Sequence, residues 1–207
     1  MPIDPAHAVL LIVDVQNYCA QRDGAGSRKL GAQQRGYLFG RLRETVLPNL
    51  QLLQSACRRA HLEVVYAAVE NMTQDGRDRS LDYKISGIDV PRGSWDAQVL
   101  DEIAPVEDEM VFRKTSSSVF ISTNIDYVLR NLDVRSLIVA GMMTDQCVES
   151  AVRDACDLGY LVTLITDACT TDSAERHEQS LFGIRGYCRQ STTDALLAEI
   201  AALTGSR

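Results

Sequence analysis

The sequence predicts an α/β protein: a three-layer, doubly wound, mainly parallel sheet with helices on both faces. Two features carry this reading. Short apolar runs rich in Val, Ile and Leu recur without polar alternation, as strands buried on both faces require. Between several of them stand segments whose apolar positions repeat every three or four residues, as in helices that bury one stripe. Strands alternating with helices at this spacing build βα units.

In order, Ala8 to Val13 is the first strand and ends at Asp14. From Arg35 to Arg59, Leu38, Leu42, Val46, Leu50, Leu53 and Ala56 mark one helix face. Leu62 to Val69 is the next strand. Glu70 to Trp95 is polar, carries Gly76, Gly87, Pro91 and Gly93, and has no sustained period, so 70–95 reads as a long loop, either an active-site lid or a surface insertion. Asp96 to Ile103 reads as a short helix, Glu109 to Arg113 as a strand reaching Lys114, and Asn124 to Asn131 as a helix. Ser136 to Ala140 is a strand running into Gly141. Asp145 to Leu158 is a helix stopped by Gly159. Leu161 to Ile165 is a further strand ending at Asp167, and Ser173 to Gly183 and Thr192 to Leu203 are the last helices.

A chain of 207 residues suits one domain with a buried core, so 1–207 is taken as a single unit. Its 45% hydrophobic and 24% charged residues match folded rather than disordered chains. The net charge of -7, with Lys and Arg scattered, lacks the basic stripe of a nucleic-acid binder. Met1 to Ala8 shows no leader pattern and no apolar run is long enough to span a bilayer, so no membrane partner and a cytoplasmic location are expected. The six cysteines form no CxxC pair and read as free thiols, each a small buried filler unless its surroundings say otherwise.

Three reactive side chains fall at strand ends: Asp14, Lys114, and Cys147 a few residues past Ala140. Ligands of such sheets bind at the carboxyl ends of strands, so the three can share one crevice. Cys147 sits where a strand turns into a helix, and the helix N-terminus favours the thiolate. A thiol of ordinary pKa, about 8.5, gains from an ammonium and a general base beside it. Taken singly, each residue also fits a plain role: Asp14 as a strand-end cap, Lys114 as a surface lysine, Cys147 as helix packing.

The segments Ile12-Val13-Asp14-Val15-Gln16-Asn17, Arg113-Lys114 with Ser118-Val119-Phe120, and Gly141-Met142-Met143-Thr144-Asp145-Gln146-Cys147-Val148 resemble, in order and separation, the three motifs of the isochorismatase-like cysteine hydrolases. The resemblance runs from Ala8 to about Thr193. It implies a six-stranded parallel sheet, a catalytic set of Asp14, Lys114 and Cys147, and an oxyanion hole from the Met143 and Cys147 backbone N–H groups, shaped by a cis peptide before Met143. It also implies a homo-oligomer, dimer or tetramer.

Members of this family that hold a zinc-type ion do so through an Asp-x-His pair and a further His after the second strand. Here Val69 to Arg79 contains no histidine. His7, His61 and His177 are not spaced as ligands and are expected to be surface or capping residues, so neither metal nor cofactor is expected. The presence of Cys147 favours amide hydrolysis over the vinyl-ether cleavage of the family's lyases, which lack the thiol. Asn17, Tyr18, Glu70, Asn71, Tyr83, Lys84 and Phe120 are the candidate substrate contacts, with Arg77 and Arg79 in the same polar loop; a solvated loop is the alternative. The loop looks most similar to the ureidoacrylate and carbamoyl-amide branch. The expected function is therefore hydrolysis of a small ureido, carbamoyl or carboxamide substrate. The alternatives are a maleamate-like amide on the same scaffold, or a non-catalytic binding protein.

Overall fold

The structure, a computed structural model, describes residues 3–204. The strands are β1 (Ala8–Val13), β2 (Glu63–Val69), β3 (Val111–Lys114), β4 (Ser136–Met142), β5 (Leu161–Thr170) and β6 (Arg189–Ser191). The helices are α1 (Asn17–Ala20), α2 (Ala32–Arg41), α3 (Leu47–Arg59), α4 (Leu81–Ser86), α5 (Val119–Ser122), α6 (Ile125–Asn131), α7 (Glu149–Asp157), α8 (Ala174–Gly183) and α9 (Thr193–Thr204). The sheet has six strands in the order β3-β2-β1-β4-β5-β6, and every pairing is parallel. All six residues of β1 are buried, so this central strand is covered on both faces. Helix α3 packs on β2, β5 and α9, while α7 packs on β5 and α5.

The order reverses direction at β1: β2 and β3 lie on one side, β4 to β6 on the other. A crevice opens where such a reversal occurs, beyond the carboxyl ends of β1 and β4. Those ends can pair only because residue 141 is glycine. Gly141 lies opposite Val13 with φ 125°, and a Cβ there would fall 2.2 Å from the Val13 carbonyl oxygen.

The predicted stripe Leu38, Leu42, Val46, Leu50, Leu53 and Ala56 is buried throughout. Its helix starts earlier, at Ala32, and widens into a π-turn over Leu42–Val46 just before Pro48, which has no N–H to offer the preceding turn. Gly159, at φ 93°, ends the helical segment after Leu158 as expected.

Several expectations need correction. Asp96 to Ile103 is not a helix but two 3-10 turns, Trp95–Ala97 and Asp101–Ile103. Between them Val99 bridges to Gln16, and the Leu100 N–H donates to Val15 O, so the backbone bonds with the chain after β1 instead of with itself. The loop 70–95 contains α4, capped by the Ser80 side chain and ended by Gly87 at φ 66°. Strand β5 continues past Ile165 to Thr170 across a register shift opposite β4. The residue pattern did not show β6, because Arg189–Ser191 is short, polar and half-buried. Among the described residues no helix is long and apolar enough to cross a membrane.

Candidate active site

Three strand ends meet in the crevice. Asp14 follows β1 in the left-handed region at φ 53°, a conformation that aspartate tolerates better than most residues. Its N–H donates to Ala67 O and its carbonyl accepts from Gln16 N–H, which anchors the turn to β2. Lys114 is the last residue of β3, paired with Val69. Cys147 lies on the π-turn Thr144–Val148 that joins β4 to α7. The peptide bond Met142–Met143 before that turn is cis.

The Lys114 ammonium is fully buried and has four acceptors around it: Tyr83 Oη at 2.8 Å, Asp14 Oδ2 at 2.9 Å, Ser116 O at 3.0 Å and Cys147 Sγ at 3.2 Å. The Tyr83 hydroxyl in turn donates to Ser116 O at 2.8 Å and stands 3.7 Å from Cys147 Sγ. Both Asp14 carboxylate oxygens are buried, with the Lys114 ammonium and the Cys147 thiol beside them. Gln16 ties the floor together, its amide spanning Val69 N, Val69 O and Asp96 O.

Burial sets the direction of the shift at Asp14 and Cys147 but not at Lys114. It pushes Asp14 above the usual carboxylate range, against the pull of the Lys114 charge. Burial also opposes the charge on Lys114, but Asp14 and Cys147 outweigh it and hold the ammonium above its ordinary value. The Cys147 thiol is pushed up to about 12 by burial and then by Asp14, with Lys114 opposing. The helix start alone therefore does not set the charge on sulfur: burial and the Asp14 carboxylate strengthen the thiol's hold on its proton, and Lys114 weakens it.

Asp14, Gln16, Tyr18, Tyr83, Met143 and Cys147 line a cavity of about 50 Å³. It opens into a basin of about 590 Å³, the two sharing Tyr18, Cys19, Ile88, Met143 and Gln146. The inner cavity is less than a tenth of the basin in volume.

Of the candidate substrate contacts, Tyr18 and Tyr83 line the cavity and the others are engaged elsewhere. The Asn17 amide donates to Trp95 O, and Glu70 pairs with Arg113 and accepts from Gly93 N–H. Asn71 donates to Asp89, exposed Lys84 donates to Arg77 O, and Phe120 lies against the Tyr160 ring. Arg77 pairs with Asp75, and Arg79 donates to Gly76 O and Ile88 O. These contacts hold the 70–95 segment to itself and to its neighbours. Gln16, Cys19 and Gln146 are cavity residues to which the sequence reading gave no role; Gln16 and Gln146 stood inside the quoted motifs, which was the available signal.

The histidines are apart. His7 pairs with Asp133, and His61 takes the left-handed position ending α3. His177, expected at the surface or as a cap, is instead buried in α8, because Thr144 and Arg41 offer both ring nitrogens a partner. All six cysteines are free thiols. Among the described residues no cluster of three or more His, Cys, Asp or Glu side chains is placed to hold a metal.

The isochorismatase-domain family model matches residues 8–195 of the chain. A ureidoacrylate amidohydrolase of Acinetobacter baylyi is 26% identical over 200 residues, covering 88% of this chain and 79% of that protein. Its counterpart in Rhizobium rhizogenes is 27% identical over 186 residues, 80% of this chain and 71% of that one. Among solved structures, a cysteine hydrolase from Pseudomonas syringae superposes with a TM-score of 0.84 at 25% identity, covering 98% of this chain and 96% of that one. An N-carbamoylsarcosine amidase from Thermoplasma acidophilum does so with a TM-score of 0.72 at 22% identity, over 90% and 96%.

Proposed function

The chain belongs to the isochorismatase family, and on that premise we propose that it is a cysteine-dependent amidohydrolase that cleaves a small ureido, carbamoyl or carboxamide C–N bond and releases ammonia. The observation that carries the reading is one buried ammonium, Lys114, within 2.9 Å of a carboxylate and 3.2 Å of a thiol at the floor of a small cavity. The amidohydrolase relatives support the reaction type and the ureido class.

The chemistry follows from these three groups. Asp14, whose affinity for a proton is raised by burial, takes the Cys147 proton as the sulfur attacks the carbonyl carbon, and Lys114 stabilises the sulfur as it becomes negative. The carbonyl oxygen gains the negative charge and is held by the Met143 and Cys147 backbone N–H groups. Asp14 returns the proton to nitrogen, the C–N bond breaks, and ammonia leaves a thioester on Cys147. Water, deprotonated by Asp14, attacks that thioester and frees the thiol. The inner cavity takes the amide, and the remainder of the substrate extends into the basin.

The test is ammonia release over a panel of ureido, carbamoyl and carboxamide compounds, combined with intact-mass detection of an adduct on Cys147. Turnover of at least one compound with an acyl adduct that is absent in Cys147→Ser supports the reading. No release across the panel, or release that survives Cys147→Ser, overturns it.

A further inference from the structure

Behind the turn that carries Cys147 lies a buried polar cluster that the proposed chemistry does not use. His177 Nδ1 lies 2.9 Å from Thr144 Oγ1, and His177 Nε2 lies 3.1 Å from an Arg41 terminal nitrogen. Arg41 is itself pinned, its Nε donating to Cys169 O at 3.1 Å and its Nη2 to Thr166 O at 3.1 Å. The His177 ring is therefore held from both nitrogens, with the Thr166 carbonyl as a further hydrogen-bond partner, and Nδ1 is the nitrogen that meets Thr144. Burial and then the Arg41 charge push the imidazole down to about 4, against Asp145 and the Thr166 carbonyl.

One turn along the same helix, Ser180 Oγ lies 2.6 Å from Glu149 Oε2 and 3.2 Å from Thr144 O. Helix α8 thus grips Thr144 by side chain and by carbonyl, and reaches Glu149 at the start of α7. Thr144 is the first residue of the π-turn and stands between Met143 and Cys147. His177 lines neither the cavity nor the basin.

We propose that His177 is a positioning residue, which holds Thr144 through the hydrogen bond at its Nδ1 and so fixes the turn that aims the Cys147 sulfur and the Met143 N–H into the cavity. This rests on the reading of Cys147 as the nucleophile. The dependence on geometry is steep, because a misplacement of about 1 Å costs on the order of a hundredfold in rate.

The experiment compares His177→Leu, His177→Asn and Thr144→Val. Two rates are read: kcat on any compound turned over, and alkylation of Cys147 by iodoacetamide followed by mass spectrometry, with the other five cysteines as internal standards. His177→Leu is expected to slow both by about tenfold or more, with KM within about twofold and the other cysteines unchanged. His177→Asn, whose side-chain amide can replace the hydrogen bond made at Nδ1, recovers most of the loss. Thr144→Val, which keeps the shape and removes the hydroxyl, reproduces it, and combining Thr144→Val with His177→Leu adds nothing further. Rates within about twofold of the parent in His177→Leu, no recovery in His177→Asn, or losses that multiply in the double variant overturn the proposal. If His177→Leu does not fold, the alkylation rate of Thr144→Val decides alone: slowed supports, unchanged overturns. The alkylation arm needs no substrate, so failure to find turnover overturns the amidohydrolase reading without touching this one.

Discussion

Lys114 Nζ lies 3.2 Å from Cys147 Sγ although the two residues stand on different strand ends of the sheet, β3 at its edge and the turn after β4. The ammonium reaches across the ends of β2 and β1 to do so and meets Asp14 on the way, at 2.9 Å. A single cation thus holds the carboxylate and the thiol together.

Cys147→Ser is expected to reduce turnover to below about 1% while the protein remains folded, because a hydroxyl is a far weaker nucleophile than sulfur without a dedicated base of matching strength. Circular dichroism checks the fold and ammonia release the activity. Activity above a few per cent, in the absence of contaminating enzyme, sinks the assignment.

Removing one partner of the buried pair should cost stability, and removing both should restore it without restoring activity. Lys114→Met leaves the Asp14 carboxylate buried and uncompensated, a loss of about 3 to 5 kcal/mol. The double variant Asp14→Asn, Lys114→Met removes both charges and recovers most of that in urea denaturation. Both variants are inactive in the ammonia assay. Equal stability of the single and double variants contradicts the coupling.

The pH dependence follows from the direction of the Asp14 shift. Asp14 acts as a base only when ionised, and burial raises its pKa, so kcat/KM falls as the pH drops through a value above the ordinary aspartate pKa of about 3.9. A profile on the folded enzyme that stays flat down to about pH 4 excludes Asp14 as the base.

Tyr83→Phe deletes the hydroxyl that accepts from Lys114 and donates to Ser116 O, both at 2.8 Å. The ammonium keeps three acceptors for its three N–H bonds, so the loss is that of the hydroxyl's own hydrogen bonds, about 1 kcal/mol. Stability should drop by that amount, and kcat about tenfold as Lys114 settles away from Cys147. Parent-like values in both measurements show that the hydroxyl is dispensable.

Two glycines with positive φ separate backbone strain from collision. Gly159→Ala, at φ 93° with no neighbour within 4 Å of a new Cβ, should cost about 1 to 2 kcal/mol from conformation alone. Gly141→Ala drives its Cβ to 2.2 Å from the Val13 carbonyl oxygen and must part β1 from β4, so it should cost more than about 4 kcal/mol or prevent folding. Thermal melts that rank the two the other way refute the packing argument.

Much of the sheet was legible because its signal is local. Continuous apolar runs place β1, β2, β4 and the first half of β5, and the three- and four-residue repeat from Leu38 to Ala56 marks a buried helix face wherever the chain goes. Strand β6 was not, since Arg189–Ser191 owes its place to hydrogen bonds along the edge of β5 rather than to its own burial. The residues of 96–103 lost their helix for a similar reason: Val15, Gln16 and Asn17 offered their backbone a nearer partner.

The sequence by itself determined which side chains stand at strand ends, because strand length and βα alternation are written in the periodicity; Asp14, Lys114 and Cys147 were named on that basis. Tertiary structure alone decided how close they come and what charge they carry. Distances depend on the strand order β3-β2-β1-β4, and the upward shift of the Cys147 thiol depends on how completely the crevice excludes water. Contacts between residues far apart in the chain were also beyond local pattern. Tyr83 reaches Lys114 as the buried residue of α4, and His177 meets Thr144 because α8 packs on the π-turn after β4, and no spacing in the sequence records those meetings.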